Sequence, residues 1–233
     1  MPAPDRLTGS RPMVSVVRVT GLSVDYLTAA GRSPALVDVN LECDPGRLSV
    51  IAGPSGSGKS TLLRVLAGLH RPKTGIVEIG GRDVARLRPR AVRRRRRRTM
   101  GIVLQNPSDN LLEELTAIEQ VELAARIRGV DRGPAGELLD VVGMGAHARS
   151  LPSQLSGGEQ QRVAFAAAAI GRPLVLRADE PTAQLDAAAG QALIASMRDL
   201  VETGTTLVVA SHDEAVIQAA DRVVHLRDGH LAR

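Results

Sequence analysis

The sequence predicts an α/β fold with a parallel sheet at its centre, and three observations carry that expectation. Short apolar runs that read as strands alternate with stretches of helical periodicity. Between one such strand and one such helix lies Gly53-Pro54-Ser55-Gly56-Ser57-Gly58-Lys59-Ser60, which matches the phosphate-loop pattern G-x-x-x-x-G-K-[ST]. Turn signals such as Gly80-Gly81 and Asp228-Gly229 fall between the predicted elements rather than inside them. A chain of 233 residues is ample to bury a core of this kind.

The elements follow in order. Val14 to Val19, Leu36 to Leu41 and Leu48 to Ala52 are β-type runs, the last uniformly apolar except for Ser49. Ser60 to Gly68 reads as a helix closed by glycine. Gly75 to Gly80 alternates like a strand and turns at Gly80-Gly81. Gly101 to Leu104 is a short strand ending at Gln105. From Thr116 to about Arg149 the pattern is helical, interrupted between Gly129 and Pro134. Leu174 to Ala178 and Thr206 to Ala210 are buried-type strands, each preceded by a helical stretch. The tail, Val223 to Leu231, reads as a hairpin about Asp228-Gly229. There is no internal repeat, coiled-coil heptad or long linker.

The loop has a definite chemistry. Gly53, Gly56 and Gly58 permit a backbone path on which successive N–H groups converge on phosphate oxygens. Lys59 is placed to meet the β- and γ-phosphates of a nucleoside triphosphate, and the Ser60 hydroxyl to ligate Mg²⁺. The following helix aims the positive end of its dipole at the same phosphates.

Composition narrows the setting. Six of the 30 basic residues form one run, Arg93 to Arg98, and without them 24 basic residues stand against 25 acidic ones. The net charge of +5 is therefore local. The run reads as a solvated helix face or loop; nucleic acid or anionic lipid headgroups are the other reading. An aromatic content of 1% argues against base stacking, so no nucleic-acid partner is expected. Cys43 is alone, so neither an internal disulfide nor a cysteine-based metal cluster is expected. No apolar stretch approaches the roughly 18 residues of a membrane span, and Met1 to Arg11 lacks the apolar region of a signal peptide. These features predict a chain that works in the cytoplasm.

Downstream of the loop come Leu155-Ser156-Gly157-Gly158-Glu159-Gln160-Gln161-Arg162, then Leu174-Val175-Leu176-Arg177-Ala178-Asp179-Glu180, then Pro181-Thr182-Ala183-Gln184-Leu185-Asp186, then Ser211-His212-Asp213. In this order the motifs resemble the ATP-binding subunits of ATP-binding cassette (ABC) transporters, over about Val14 to Arg233. The resemblance implies a P-loop NTPase core with a parallel sheet, an N-terminal antiparallel β subdomain and an inserted helical signature subdomain. Residues 1–233 would form one domain, with 14–104 and 165–233 as core and β subdomain and 105–164 as the helical part.

It also implies the site. ATP would be held by Gly53, Pro54, Ser55, Gly56, Ser57, Gly58, Lys59, Ser60 and Thr61, with Tyr26 stacked on adenine. Ser156, Gly157, Gly158 and Asp186 would contribute in trans from a second subunit. Ser60, Gln105 and Asp179 would serve Mg²⁺, while Glu180 polarises the attacking water and His212 contacts the γ-phosphate. Ser156 and Glu159 also have capping-box spacing, and the two readings are compatible. Arg177 departs from the apolar residue usual there, and a buried arginine requires a partner. The implied function is an ATPase that powers a transporter by dimer closure. It would be a homodimer, peripheral on the inner membrane face through a separate transmembrane permease. The alternatives are a cassette that drives or regulates a membrane complex without moving solute, and a non-transport ABC ATPase. Leu111 to Val121, with Arg32, Ala35 and Leu36, resembles the lipoprotein-releasing and macrolide-exporting branch, whereas Gln105 to Asn110 resembles vitamin and metal importers.

Overall fold

A computed structural model describes residues 15–29 and 31–232; Val14, the segment from Met1 to Arg11 and Arg233 lie outside the described residues. The strands are β1 (Val17–Thr28), β2 (Gly31–Cys43), β3 (Leu48–Ala52), β4 (Thr74–Ile79), β5 (Arg82–Asp83), β6 (Met100–Val103), β7 (Val175–Asp179), β8 (Leu207–Ser211), β9 (Arg222–Arg227) and β10 (His230–Leu231). The α-helices are α1 (Lys59–Leu66), α2 (Pro89–Thr99), α3 (Ala117–Arg128), α4 (Ala135–Val141), α5 (Gly157–Ala169), α6 (Ala187–Glu202) and α7 (Glu214–Gln218).

They form an antiparallel sheet in the order β2-β1-β4-β5 and a six-stranded sheet in the order β10-β9-β3-β8-β7-β6. In the larger sheet β6, β7, β8, β3 and β9 run parallel, and β10 folds back on β9 through Asp228 and Gly229, both at positive φ. This two-residue turn with both φ values positive matches the twist of a hairpin, as the Asp-Gly pair predicts.

β1 and β2 are longer than Val14 to Val19 and Leu36 to Leu41 suggest. Their outer halves pair Asp25 with Pro34 and Leu27 with Arg32. These residues are mostly exposed, so no apolar alternation marks them; backbone pairing alone extends the ladder. Pro34 is tolerated because β2 is an edge strand.

The parallel strands divide their side chains between two cores. Leu48, Val50, Leu207 and Val209 face Phe165, Leu139 and Met197 on the side of α3 to α6. Ile51, Val208 and Ala210 face Leu62, Leu63 and Leu66 of α1, with Leu22, Leu36 and Ile79 of the antiparallel sheet. Alternation along β7 puts Leu176 and Ala178 in the first core and Val175 in the second, so Arg177 points toward the α1 side.

Arg177 is 4% exposed, and its Nε has no hydrogen-bond partner among the described residues. Burial lowers its pKa below the ordinary arginine value; Asp179 opposes that effect, while Arg64 and Arg96 add to it. The partner expected for a buried arginine is thus not an ion pair. Nearby Asp179, on the same strand face, is the one favourable charge acting on it.

Candidate functional site

The predicted site residues collect at the C-terminal edge of the parallel sheet, where an open α/β sheet presents its ligand crevice. β3 delivers the phosphate loop, β7 ends at Asp179 and leads into Glu180, and β8 ends at Ser211 next to His212. The strands end level: Ala52 pairs with Ser211, and Asp179 with Ala210.

The loop itself explains two of its glycines. A Cβ on Gly53 would lie 2.1 Å from the Leu226 carbonyl oxygen, and one on Gly58 would lie 2.6 Å from that of Ala35. Gly58 also has φ +105° and serves as the N-cap of α1 without a side-chain cap. Lys59 is 6% exposed; its Nζ donates to the carbonyls of Gly53 (2.7 Å) and Pro54 (3.0 Å) and pairs with Glu180 at 3.1 Å. Ser60 Oγ donates to Asp179 Oδ1 at 3.0 Å.

Glu180 is the hub of the acidic side. Its other carboxylate oxygen lies 2.9 Å from His212 Nδ1 and accepts from the His212 backbone N–H at 3.3 Å. Its own N–H donates to the Ala210 carbonyl, and its φ is +45°. A non-glycine residue held in that region carries backbone strain of a kind concentrated at functional sites. The structure therefore joins Lys59, Glu180 and His212 through contacts on Glu180, with the Ser60–Asp179 pair beside them through the neighbouring residues of α1 and β7.

The remaining expected residues sit differently. Tyr26 OH is 3.2 Å from Thr61 Oγ1, and its ring is tilted 52° against His70 with centroids 5.0 Å apart. Gln105 is exposed, and its side chain makes no hydrogen bond among the described residues. Asp186 caps α6 by accepting from the Ala189 N–H at 2.8 Å. Ser156 caps α5 in a complete capping box: Glu159 accepts from the Ser156 N–H (2.8 Å) and hydroxyl (2.9 Å). Those contacts, the backbone one foremost, hold the Glu159 carboxyl below its ordinary pKa. Gly158 is required by packing, since a Cβ there would meet the Ala189 Cβ at 2.8 Å. Gly157 is exposed and has no such contact under 3.7 Å.

Sequence reasoning missed a set of polar residues that tie these parts together. Fully buried Gln161 donates to the carbonyls of Leu104 (3.1 Å), Gln105 (3.3 Å) and Pro181 (3.4 Å), and accepts from Asn110. Asn110 in turn bonds both the N–H and the carbonyl of Leu104. One side chain thus joins the segment after β6, the segment after β7 and α5. Thr182 Oγ1 donates to Asp213 at 2.8 Å, linking the turn after Glu180 to the segment holding His212. The available signal was a polar residue, Gln161, amid the apolar face of α5.

A glycine loop between strand and helix, its lysine against a strand-end carboxylate, defines a P-loop nucleoside triphosphatase. Residues 36–183 match the family described as ABC transporter. The chain is 42% identical over 221 residues to lipoprotein-releasing system ATP-binding protein LolD 2 of Caulobacter vibrioides, covering 93% of this chain and 96% of that one. It is 40% identical over 220 residues to macrolide export ATP-binding/permease protein MacB of Sodalis glossinidius, but spans only 33% of that protein's length. Among solved structures, the dimeric ATP-binding cassette MJ0796 in a post-hydrolysis state with ADP and Pi superposes with a TM-score of 0.81 at 35% identity, covering 93% of this chain and 97% of that one. The chain belongs to the ABC transporter family, as one of its ATP-binding and ATP-hydrolysing cassettes. Among the described residues, no helix is long and apolar enough to cross a membrane.

Proposed function

We propose that two copies of this chain close around ATP, that Lys59, Ser60, Asp179, Glu180 and His212 of one copy handle the phosphates, and that Ser156 and Gly157 of the other complete the site. The observation that supports this most is the contact of Lys59 with both the loop carbonyls and Glu180. An ammonium already at the loop is ready to exchange those carbonyls for phosphate oxygens. Glu180 is then free to take a hydrogen bond from the water that attacks the γ-phosphorus as the bond to ADP breaks. His212, 64% exposed at its side chain, holds Glu180 from the side open to a partner. Pro54, Ser55, Gly56, Ser57 and Thr61 complete the loop, Tyr26 receives the base, and Gln105 borders the water. Asp186 belongs to the trans surface, and Gly158, buried against Ala189, contributes through the backbone of the α5 N-terminus rather than as an exposed residue.

Mg²⁺ fits the donor set. Ser60 Oγ and Asp179 Oδ1 form an adjacent oxygen pair, and among the described residues no group of three or more His, Cys, Asp or Glu offers a competing cage. A hard cation held by one or two side chains, phosphates and water suits that arrangement. When bound, it neutralises charge on the β- and γ-phosphates.

Residues 105–164 form the helical part of this reading, with the core on either side. The transport partner is a separate membrane-spanning permease, which places the chain at the inner membrane face. The high identity to LolD 2 over nearly its full length favours work of the lipoprotein-releasing kind.

A Glu180→Gln variant tests the mechanism. It should bind ATP, hydrolyse it at least roughly 100-fold more slowly and elute as a stable dimer in ATP. A variant that binds ATP yet remains monomeric by size-exclusion chromatography with light scattering overturns the two-copy site.

A further inference from the structure

We infer that His70 is a positioning residue for the base of the nucleotide: its ring holds Tyr26 ready to stack, so that affinity for the base is set apart from affinity for the phosphates. The inference rests on the proposal above that Tyr26 receives the base.

The placement of His70 begins with α1. Gly68, at φ +63°, closes the helix in a Schellman turn, in which the Leu69 N–H donates to the Arg64 carbonyl at 2.8 Å and the Gly68 N–H to that of Val65 at 2.9 Å. The His70 N–H adds a bond to the Arg64 carbonyl at 3.3 Å. His70 is therefore fixed to the end of the same helix that begins at Lys59 of the phosphate loop. The chain just beyond is tied down as well. Arg71 donates to the Leu87 carbonyl at 3.1 Å. Lys73 binds β1 twice, by its N–H to the Ser23 carbonyl (2.8 Å) and by its ammonium to Asp25 (2.7 Å). Asp25 precedes Tyr26, so β1 and the segment after α1 are locked together beside the tyrosine ring.

Tyr26 is held at two points. Its hydroxyl lies 3.2 Å from Thr61 Oγ1 in the first turn of α1, and its ring meets that of His70 at 5.0 Å with a tilt of 52°. That separation and tilt are favourable for an aromatic pair. Ordinary core packing does not account for it. Both residues are only half-buried, and theirs is the one aromatic pair among the described residues of a chain with one Tyr, one Phe and no Trp. Among the described residues the His70 ring makes no hydrogen bond or ion pair, so what it offers Tyr26 is an aromatic surface. Ordering a free tyrosine at the moment of stacking weakens binding; a ring already pinned by Thr61 and His70 is spared that loss. A polyphosphate without a base gains nothing from the ring.

Tyr26 is the only tyrosine and tryptophan is absent, so tyrosine emission reports this ring directly. The full chain and its His70→Ala and His70→Phe variants are titrated calorimetrically, in Mg²⁺, with ADP and with inorganic tripolyphosphate. The emission and anisotropy of Tyr26 are followed without and with ADP. Loss of one aromatic pair predicts ADP binding weakened by about two- to tenfold in His70→Ala, with tripolyphosphate affinity unchanged. Without ligand, Tyr26 anisotropy should fall in His70→Ala. In His70→Phe both the anisotropy and the ADP affinity should return to the parent values. The assignment of His70 is overturned by unchanged ADP affinity in His70→Ala, by equal loss for ADP and tripolyphosphate, or by a Phe variant as weak as the Ala one. If instead ADP binds the parent without altering its Tyr26 emission, the base does not reach the ring, and the proposal for Tyr26 falls together with the inference.

Discussion

Two helices in this protein begin at motifs proposed above to meet phosphate, and they treat their first N–H groups in opposite ways. α1 starts behind Gly58, which has no side chain to cap it, and its first turn carries no acid. α5 starts behind Ser156, whose hydroxyl accepts from the Glu159 N–H, and Glu159 sits in the first turn. Both have the positive dipole end that favours an anion. Only α1 presents it with no side chain in the way. At α5 an incoming phosphate competes with the protein's own carboxylate and hydroxyl. The first end suits the proposed role of holding nucleotide within one chain. The second is stable alone through its own cap, so in the proposed two-copy site an anion there would need the extra contacts of a closed dimer.

The largest effect expected from disturbing this contrast is at α1. Gly58→Ala places a Cβ against the Ala35 carbonyl at a φ of +105°, so the loop must move. Strain of about 1–3 kcal/mol per such residue predicts a matching loss of stability and nucleotide affinity reduced by about tenfold or more, read by calorimetric titration. An unchanged affinity would show that the loop is not the nucleotide cradle.

A smaller and more discriminating effect is expected at α5. Ser156→Ala removes the cap and should cost about 1 kcal/mol of stability. Ser156→Asp keeps a capping oxygen but adds negative charge. It should unfold at nearly the parent temperature while losing ATP-driven dimerisation. If both variants dimerise normally in the Glu180→Gln background, Ser156 is a cap and nothing more.

The smallest effect concerns pH. The Glu159 carboxyl is held below its ordinary value of 4.5 by the Ser156 N–H and then its hydroxyl. A lowered folded-state pKa contributes stability above pH 4.5 that is lost as pH falls through the lower folded value. Glu159→Gln should therefore lower the melting temperature slightly at pH 7 and flatten its decline below about pH 4.5, measured by thermal unfolding across acid pH. An acid limb identical to that of the parent would remove Glu159 from the account.

Much of this contrast was legible before folding. The loop could be read because its chemistry depends on neighbours in sequence: strand, glycines, lysine, helix. The capping box at Ser156 and Glu159 is likewise a local device. The polar ties were not legible, because Asn110 and Gln161 meet across 51 residues and Thr182 and Asp213 across 31. Nor did spacing reveal that Gly158 is needed against Ala189 of α6, or that Tyr26 reaches Thr61.

The sequence by itself determined the α/β alternation, the glycine loop with Lys59 and Ser60, and the order of motifs that places the chain in its family. These rest on periodicity and short-range spacing, which a linear chain displays. Only the tertiary structure decided which charges are compensated. Lys59 found Glu180, while among the described residues Arg177 was buried with its Nε unpaired and Arg90, Arg93, Arg94 and Arg97 of α2 were left exposed with no side-chain partner. Whether a charge is satisfied depends on what the fold brings within a few ångströms of it, and that is set by packing between segments far apart in the chain.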